Sequence, residues 1–264
     1  MADDEEEVRK RAILLLVRNA ECEWNAQNLF CGWYDSPLTE NGKEQAIAAA
    51  AMIKKKKFQV DVAHTSLLSR ANDTLKIILE ELEVPEIPIQ VSWRLNPKHY
   101  GALTSWCKSE MAGKYGEEQV LLWRRSYRVP PPPMECDHEY FYEFLDDYRY
   151  KAPEQLVENI PFTETLEQVL QRLLPYWFEV IIPQLQEGNT VLIAGHGNSL
   201  RALMKHIEGI SEEGLLELNV PNSIPFFYEL NMDSWKPAKP MRYMTDESTT
   251  QKGIEKVILQ GKPV

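Results

Sequence analysis

Three short, mainly apolar segments constrain this chain most: Ala12 to Val17, Val60 to Ala63, and Val191 to Ala194. A compact apolar run, rather than strict alternation, is what a strand covered on both faces requires, and helices supply that cover in a parallel sheet. Between the first two segments, Thr39-Glu40-Asn41-Gly42 precedes the alanine-rich stretch Lys43 to Ile53, which reads as a helix with a threonine near its N-terminus. Further helices are predicted over Ser69 to Leu82 and from about Ser199 to Ile207, the latter ended by Gly209. This alternation predicts an α/β fold of three layers, αβα, with a mainly parallel central sheet.

The 264 residues suit one large α/β domain, read here as 11–264, after an acidic tail over 1–10 that is expected to be disordered. Lys54 to Lys57 reads as a solvated helix end that favours the C-terminal dipole, and Pro130 to Pro133 as a rigid connector. A net charge of −11 argues against nonspecific nucleic-acid binding, although a local arginine cluster can still hold a small anion. No apolar run reaches the ~20 residues that span a bilayer. Met1 to Glu7 lacks the basic and apolar parts of a signal peptide, so a cytoplasmic location away from membranes is expected. Cys22, Cys31, Cys107 and Cys136 lack metal-ligand spacing; they read as reduced thiols, and no metal is expected. Cys22 and Cys31 flank a candidate loop, where an inert role is favoured over a redox-sensitive one.

Ligands of open parallel sheets gather beyond the carboxyl ends of the strands. Here those ends carry Arg18-Asn19-Ala20-Glu21, His64-Thr65-Ser66 followed by Arg70, and Gly195-His196-Gly197-Asn198 opening a helix. Two arginines, a histidine and a helix N-terminus in one crevice suit a phosphate, since guanidinium forks and free backbone N–H groups both match its oxygens. Arg124 and Arg125, with Lys98 and Lys108, add positive charge if the central segment folds over that crevice.

Val17-Arg18-Asn19-Ala20-Glu21, Trp24-Asn25, Phe30-Cys31-Gly32-Trp33, Thr65-Ser66 with Arg70, Trp93-Arg94-Leu95-Asn96, His99-Tyr100-Gly101, Trp123 to Tyr127 and His196-Gly197-Asn198-Ser199 resemble the cofactor-dependent phosphoglycerate and bisphosphoglycerate mutases of the histidine phosphatase superfamily. The resemblance runs in order from about residue 12 to 262. It implies a phosphoglycerate mutase-like fold, a homodimer, a glycolytic phosphoglycerate substrate, and 2,3-bisphosphoglycerate as primer or ligand, with no tightly bound cofactor. In such mutases a histidine takes the phosphoryl group and returns it to the other hydroxyl. That position is Asn19 here, and the position of the general-acid glutamate is Pro97.

An amide nitrogen has no lone pair free near neutral pH and cannot form a phosphoramidate, and proline offers no proton. Losing a covalent nucleophile can cost ~10⁶-fold in rate. Ala20 stands for the motif glycine, Lys98 for an arginine, and Asn222-Ser223 for Thr-Gly. The resemblance leaves as binding residues Arg18, Glu21, Asn25, Cys31, Gly32, Arg70, Lys98, Tyr100, Lys108, Arg124, Arg125, Gly197 and Asn198, with His196 at the transferring phosphoryl. The expected function is therefore that of a pseudoenzyme that binds phosphorylated glycerates or an unidentified protein partner. The alternative is an active mutase or weak phosphatase with a surrogate histidine, either His196 or His64; the latter faces the crevice or packs under the sheet.

Overall fold

The computed structural model describes residues 11–152, 155, 157–260 and 262, so the acidic tail expected over 1–10 lies outside the described residues. Its centre is a six-stranded sheet of order β3-β2-β4-β1-β5-β6. The strands are β1 (Arg11–Arg18), β2 (Val62–Thr65), β3 (Ile89–Val91), β4 (Val191–Gly195), β5 (Phe226–Asn231) and β6 (Arg242–Tyr243). β3, β2, β4 and β1 run parallel, while β5 and β6 return antiparallel on the β1 edge.

The apolar run of β1 divides by pleat parity, because successive side chains leave a strand on opposite faces. Leu14 and Leu16 join Ile193, Phe226, Trp177, Leu203 and Ile207 on one side. Leu15 and Val17 join Leu192, Ala194, Ile53, Leu75 and Ile78 on the other. Burial on both faces is why β1 shows no alternation in sequence.

The second face is covered by α1 (Glu40–Lys56) and α2 (Ser69–Glu81). Thr39 caps α1 by accepting the Gly42 N–H at 2.9 Å, so the helix starts earlier than its apolar residues suggest. Gly42 is required for contact: a Cβ there would lie 2.1 Å from the Glu21 carbonyl oxygen. The lysine run forms the last turn of α1 and its left-handed cap, Lys57. The first face is covered by α3 (Leu166–Tyr176), which continues through a π turn, and by α4 (Gly197–Glu208), ended by Gly209 at φ +72°.

β2 lies two residues beyond the apolar segment that signals it. Its ladder partners run from Val62 to Thr65, and the polar His64 and Thr65 are as buried as their neighbours. Both ring nitrogens of His64 are hydrogen-bonded, to the Tyr176 hydroxyl at 2.8 Å and the Gln184 side chain at 2.7 Å. His64 therefore packs under the sheet and does not face the crevice. Pro130 to Pro133 runs without helix or strand, tied by the Pro131 carbonyl to Thr163 and by the Pro132 carbonyl to Ala102 N.

Candidate functional site

The carboxyl ends of β1, β2 and β4 are neighbours, since Arg18 pairs with Gly195 and Thr65 with Ala194. Beyond them opens a cavity with about 100 Å³ of free space, room for several waters or one small polyanion. Arg18 ends β1 and Asn19 follows it; Asn25 comes from the helical turn Glu23–Ala26, and Leu29, Cys31 and Gly32 from the loop beyond. Arg70 enters from α2, and His196, Gly197, Asn198 and Arg201 from the start of α4. The central segment supplies Pro97 and Tyr100, then Lys108, Arg124 and Arg125 on the helices Lys108–Tyr115 and Glu117–Arg125. The small cluster of Phe30, Leu103, Met111, Val120 and Trp123 holds this segment over the crevice.

Backbone carbonyls aim the cations. Arg70 donates to the Tyr34 and Gly32 carbonyls, both at 2.8 Å, and Arg18 donates to the Val220 carbonyl at 2.7 Å. The Arg18 guanidinium packs over Gly197, where a Cβ would come within 3.3 Å of its Nε. Lys108 donates to the Leu29 carbonyl at 2.6 Å. Arg124 donates to the Gln260 carbonyl after the C-terminal helix Glu247–Leu259, and Arg125 to carbonyls at the end of the helix Glu212–Glu217. Six cations thus line the cavity, and among the described residues no carboxylate does. Burial, with mutual repulsion, lowers Lys108 to about 8, Arg18 and Arg125 to about 10, and Arg201 to about 9. Three buried polar atoms of the lining, Arg18 Nε, Arg201 Nε and His196 Nδ1, find no partner in the protein. An oxyanion suits the two open guanidinium donors.

Asn19 sits at the floor, buried, with its amide Nδ2 donating to the Ala20 carbonyl at 2.7 Å. Pro97 lines the cavity without a proton to give; its carbonyl accepts from Trp33 and Arg172, both at 2.8 Å. His196 Nε2 is 2.7 Å from Ser66 Oγ, and burial, then Arg70 and Arg18, pushes its pKa well down, so the ring is neutral. The cavity lining thus holds one imidazole, His196, and an amide at residue 19.

Three residues lie elsewhere than the sequence suggests. Glu21 turns away to accept from Thr39 and Asn41 and to pair with Lys256 at 2.9 Å, lining an adjoining groove instead of the cavity. Lys98 is wholly buried behind the wall; its amine donates to the Trp123 carbonyl, and burial lowers it to about 7. Ala20 packs with Leu38 and Ala46 under α1, so its methyl group does not crowd the cavity. Asn222 bonds the Asn19 carbonyl at 2.7 Å, and Ser223 takes a left-handed backbone at φ +50°.

Arg201 is the cation that sequence reading omits. It follows Gly197 by one helical turn, a spacing that places both on one face. Val257 and Gln260 reach the cavity from the C-terminal helix, and no local signal marks them.

The family model for the histidine phosphatase superfamily (branch 1) matches residues 14–146 and 137–236. Solved structures with similar folds include Bacillus stearothermophilus YhfR, 23% identical over 85% of this chain and 93% of that one, with a TM-score of 0.62. Mycobacterial glucosyl-3-phosphoglycerate phosphatase, in a structure with VO3, is 20% identical over 82% and 92%, TM-score 0.61. Phosphoglycerate mutase from Bacillus anthracis is 19% identical over 83% and 88%, TM-score 0.57. At these identities the likeness concerns the fold, a phosphoglycerate mutase-like α/β architecture. With the family model spanning most of its length, the chain belongs to the histidine phosphatase superfamily, branch 1.

Proposed function

We propose that this chain is a phosphoglycerate mutase homologue that has lost mutase chemistry and binds a small phosphorylated glycerate, such as 2,3-bisphosphoglycerate, without covalent transfer. The observation that carries the reading is the pairing of Asn19 with its surroundings: an amide stands at the floor of a cavity lined by six cations and three unpartnered polar atoms. The cations can hold phosphate oxygens bidentately, but the amide cannot accept the phosphorus. Pro97 leaves the leaving oxygen without a general acid. The resemblance adds a cytoplasmic homodimer with no tightly bound cofactor.

An enolase-coupled mutase assay, run beside acid-labile phosphohistidine analysis after exposure to 2,3-bisphosphoglycerate, tests this reading. No turnover and no label are expected, together with a raised melting temperature. At a ligand concentration of ~100 Kd the stabilisation is about 2.7 kcal/mol. Stoichiometric label on any histidine overturns the loss of chemistry, and no thermal shift at millimolar ligand overturns the binding. One observation favours a second reading, a slow phosphatase or mutase through His196: its buried neutral ring has Nδ1 unpartnered in the cavity wall. Turnover abolished by His196→Ala would establish it.

A further inference from the structure

Two thiols meet in the wall of the cavity. Cys22 precedes the helical turn Glu23–Ala26, Cys31 follows it, and their sulfurs lie 4.0 Å apart. Both side chains are buried, and Cys31 forms part of the cavity lining whereas Cys22 stands behind it. Cys107 and Cys136, by contrast, are only partly buried and exposed, and neither lies in this wall.

We propose that Cys22 and Cys31 form an oxidant-sensitive pair, a modification site whose disulfide reshapes the cavity wall and weakens oxyanion binding. Formation of the bond stands on the geometry of the pair alone; its effect on binding rests on the cavity's being a phosphorylated-ligand site.

A disulfide needs its sulfurs about 2.05 Å apart, so the pair must close by roughly half its separation. The two residues flank a short turn of chain, and one or both side chains can rotate toward the other. The electrostatics favour ionisation of one member. The hydrogen bond from Cys31, with the Arg70 guanidinium adding to it, holds Cys22 down to about 5, while the same bond and burial push Cys31 up. The pair therefore holds one proton near neutral pH, on Cys31, with the Cys22 thiolate beside it as its acceptor.

A small peroxide entering the cavity meets Cys31 first. Cys31 attacks one peroxide oxygen as its proton passes to the Cys22 thiolate, the O–O bond breaks, hydroxide leaves, and Cys31 carries a sulfenic acid. The Cys22 sulfur, giving up its proton, then attacks the Cys31 sulfur and expels the second oxygen. From the singly ionised pair and one hydrogen peroxide, the products are one disulfide, one water and one hydroxide; both electrons come from the sulfurs and go to the peroxide.

Closure of the pair disturbs the wall where Asn25 donates to Cys31 Sγ at 3.3 Å and where Lys108 is aimed by the Leu29 carbonyl. Asn25, Leu29 and Lys108 all line the cavity. A displaced Lys108 forfeits a charge-assisted bond to bound phosphate, which corresponds to about a tenfold loss of affinity.

The test uses the full chain, treated with one equivalent of hydrogen peroxide and then alkylated with N-ethylmaleimide. No lysine or arginine separates Cys22 from Cys31, so trypsin leaves both in the peptide Asn19 to Lys43. That peptide should lose the mass of two hydrogens and resist alkylation, while Cys107 and Cys136 still take the label. Dithiothreitol should reverse the change, and Cys22→Ser or Cys31→Ser should each abolish it. Inorganic phosphate should bind the oxidised wild type about tenfold more weakly than the reduced form, with no such difference in Cys31→Ser. A peptide that remains a dithiol, or that links to Cys107 or Cys136, overturns the pairing. A formed disulfide with unchanged phosphate affinity overturns its control of the cavity. Phosphate binding to neither form refutes the binding-site reading, and with it the proposed control, but leaves the mass result standing.

Discussion

Lys108 is a buried cation in the cavity wall, and Lys108→Met tests its role directly. Burial foremost, then Arg124 and Arg18, lowers its pKa from 10.5 to about 8. At ~1.36 kcal/mol per pKa unit, keeping the amine charged in the folded state near neutral pH costs about 3 kcal/mol. Methionine retains the length of the side chain but forfeits the 2.6 Å bond to the Leu29 carbonyl and the contact over the Phe30 ring at 5.7 Å, together worth about 2–4 kcal/mol. The two contributions nearly cancel, so the variant should match wild type at neutral pH to within about 1 kcal/mol. The folded-state pKa is depressed, so wild type gains about 3 kcal/mol as pH rises from about 8 to the unfolded value, and there it should be the more stable of the two. Urea unfolding followed by tryptophan fluorescence, from about pH 7 to about pH 10.5, reads both limbs. Binding of 2,3-bisphosphoglycerate at neutral pH should fall roughly tenfold or more in the variant. A stability difference independent of pH refutes the buried-charge reasoning. Unchanged affinity refutes the role of Lys108 in the cavity.

Because Ala20 faces α1 and not the cavity, Asn19→His alone should permit phosphohistidine formation from 2,3-bisphosphoglycerate, detected as an acid-labile label. Mutase turnover should stay ~10²-fold or more below that of the double variant with Pro97→Glu in the coupled assay. His64, lowered by burial to about 4, contributes stability that is present above its ordinary value of 6.5 and lost as pH falls through about 4. Wild type should thus lose about 3 kcal/mol more than His64→Gln over that acid range, measured by urea unfolding at each pH. Ser223→Gly relieves a left-handed serine whose hydroxyl is buried without a partner and should stabilise the fold by about 1 kcal/mol in thermal denaturation.

The parts of this architecture that announce themselves in sequence are those where burial is continuous. β1 and β4 are apolar on both faces and read as strands at nearly their true limits. β2 reads two residues short because two polar residues, His64 and Thr65, are buried in it; both ring nitrogens of His64 are bonded to Tyr176 and Gln184, a long-range solution that local composition does not encode. β5 escapes notice because its antiparallel pairing is with β1, across more than half the chain, and β6 because it is only two residues long and pairs with β5. At the site, Arg18, Arg70 and His196 follow from their places at strand ends and helix starts. Glu21 does not, since its direction is fixed by Thr39, Asn41 and Lys256, which come from two other elements.

On the proposed reading, Asn19 and Pro97 on the one hand and the cations on the other have different energetic consequences. An amide at 19 and a proline at 97 strand no charge, for each is bonded locally: Asn19 to Ala20, and the Pro97 carbonyl to Trp33 and Arg172. The cations are another matter. Arg18, Lys108, Arg125 and Arg201 are each depressed by burial and by cationic neighbours, with no carboxylate in the described lining to offset them. Such an arrangement lowers the stability of the empty fold, and neutral substitution at any one position would relieve part of it. Folding alone gives no reason to assemble these charges around a void; stabilisation by a bound oxyanion does, which is why the cavity favours a ligand even where its floor cannot accept a phosphoryl group.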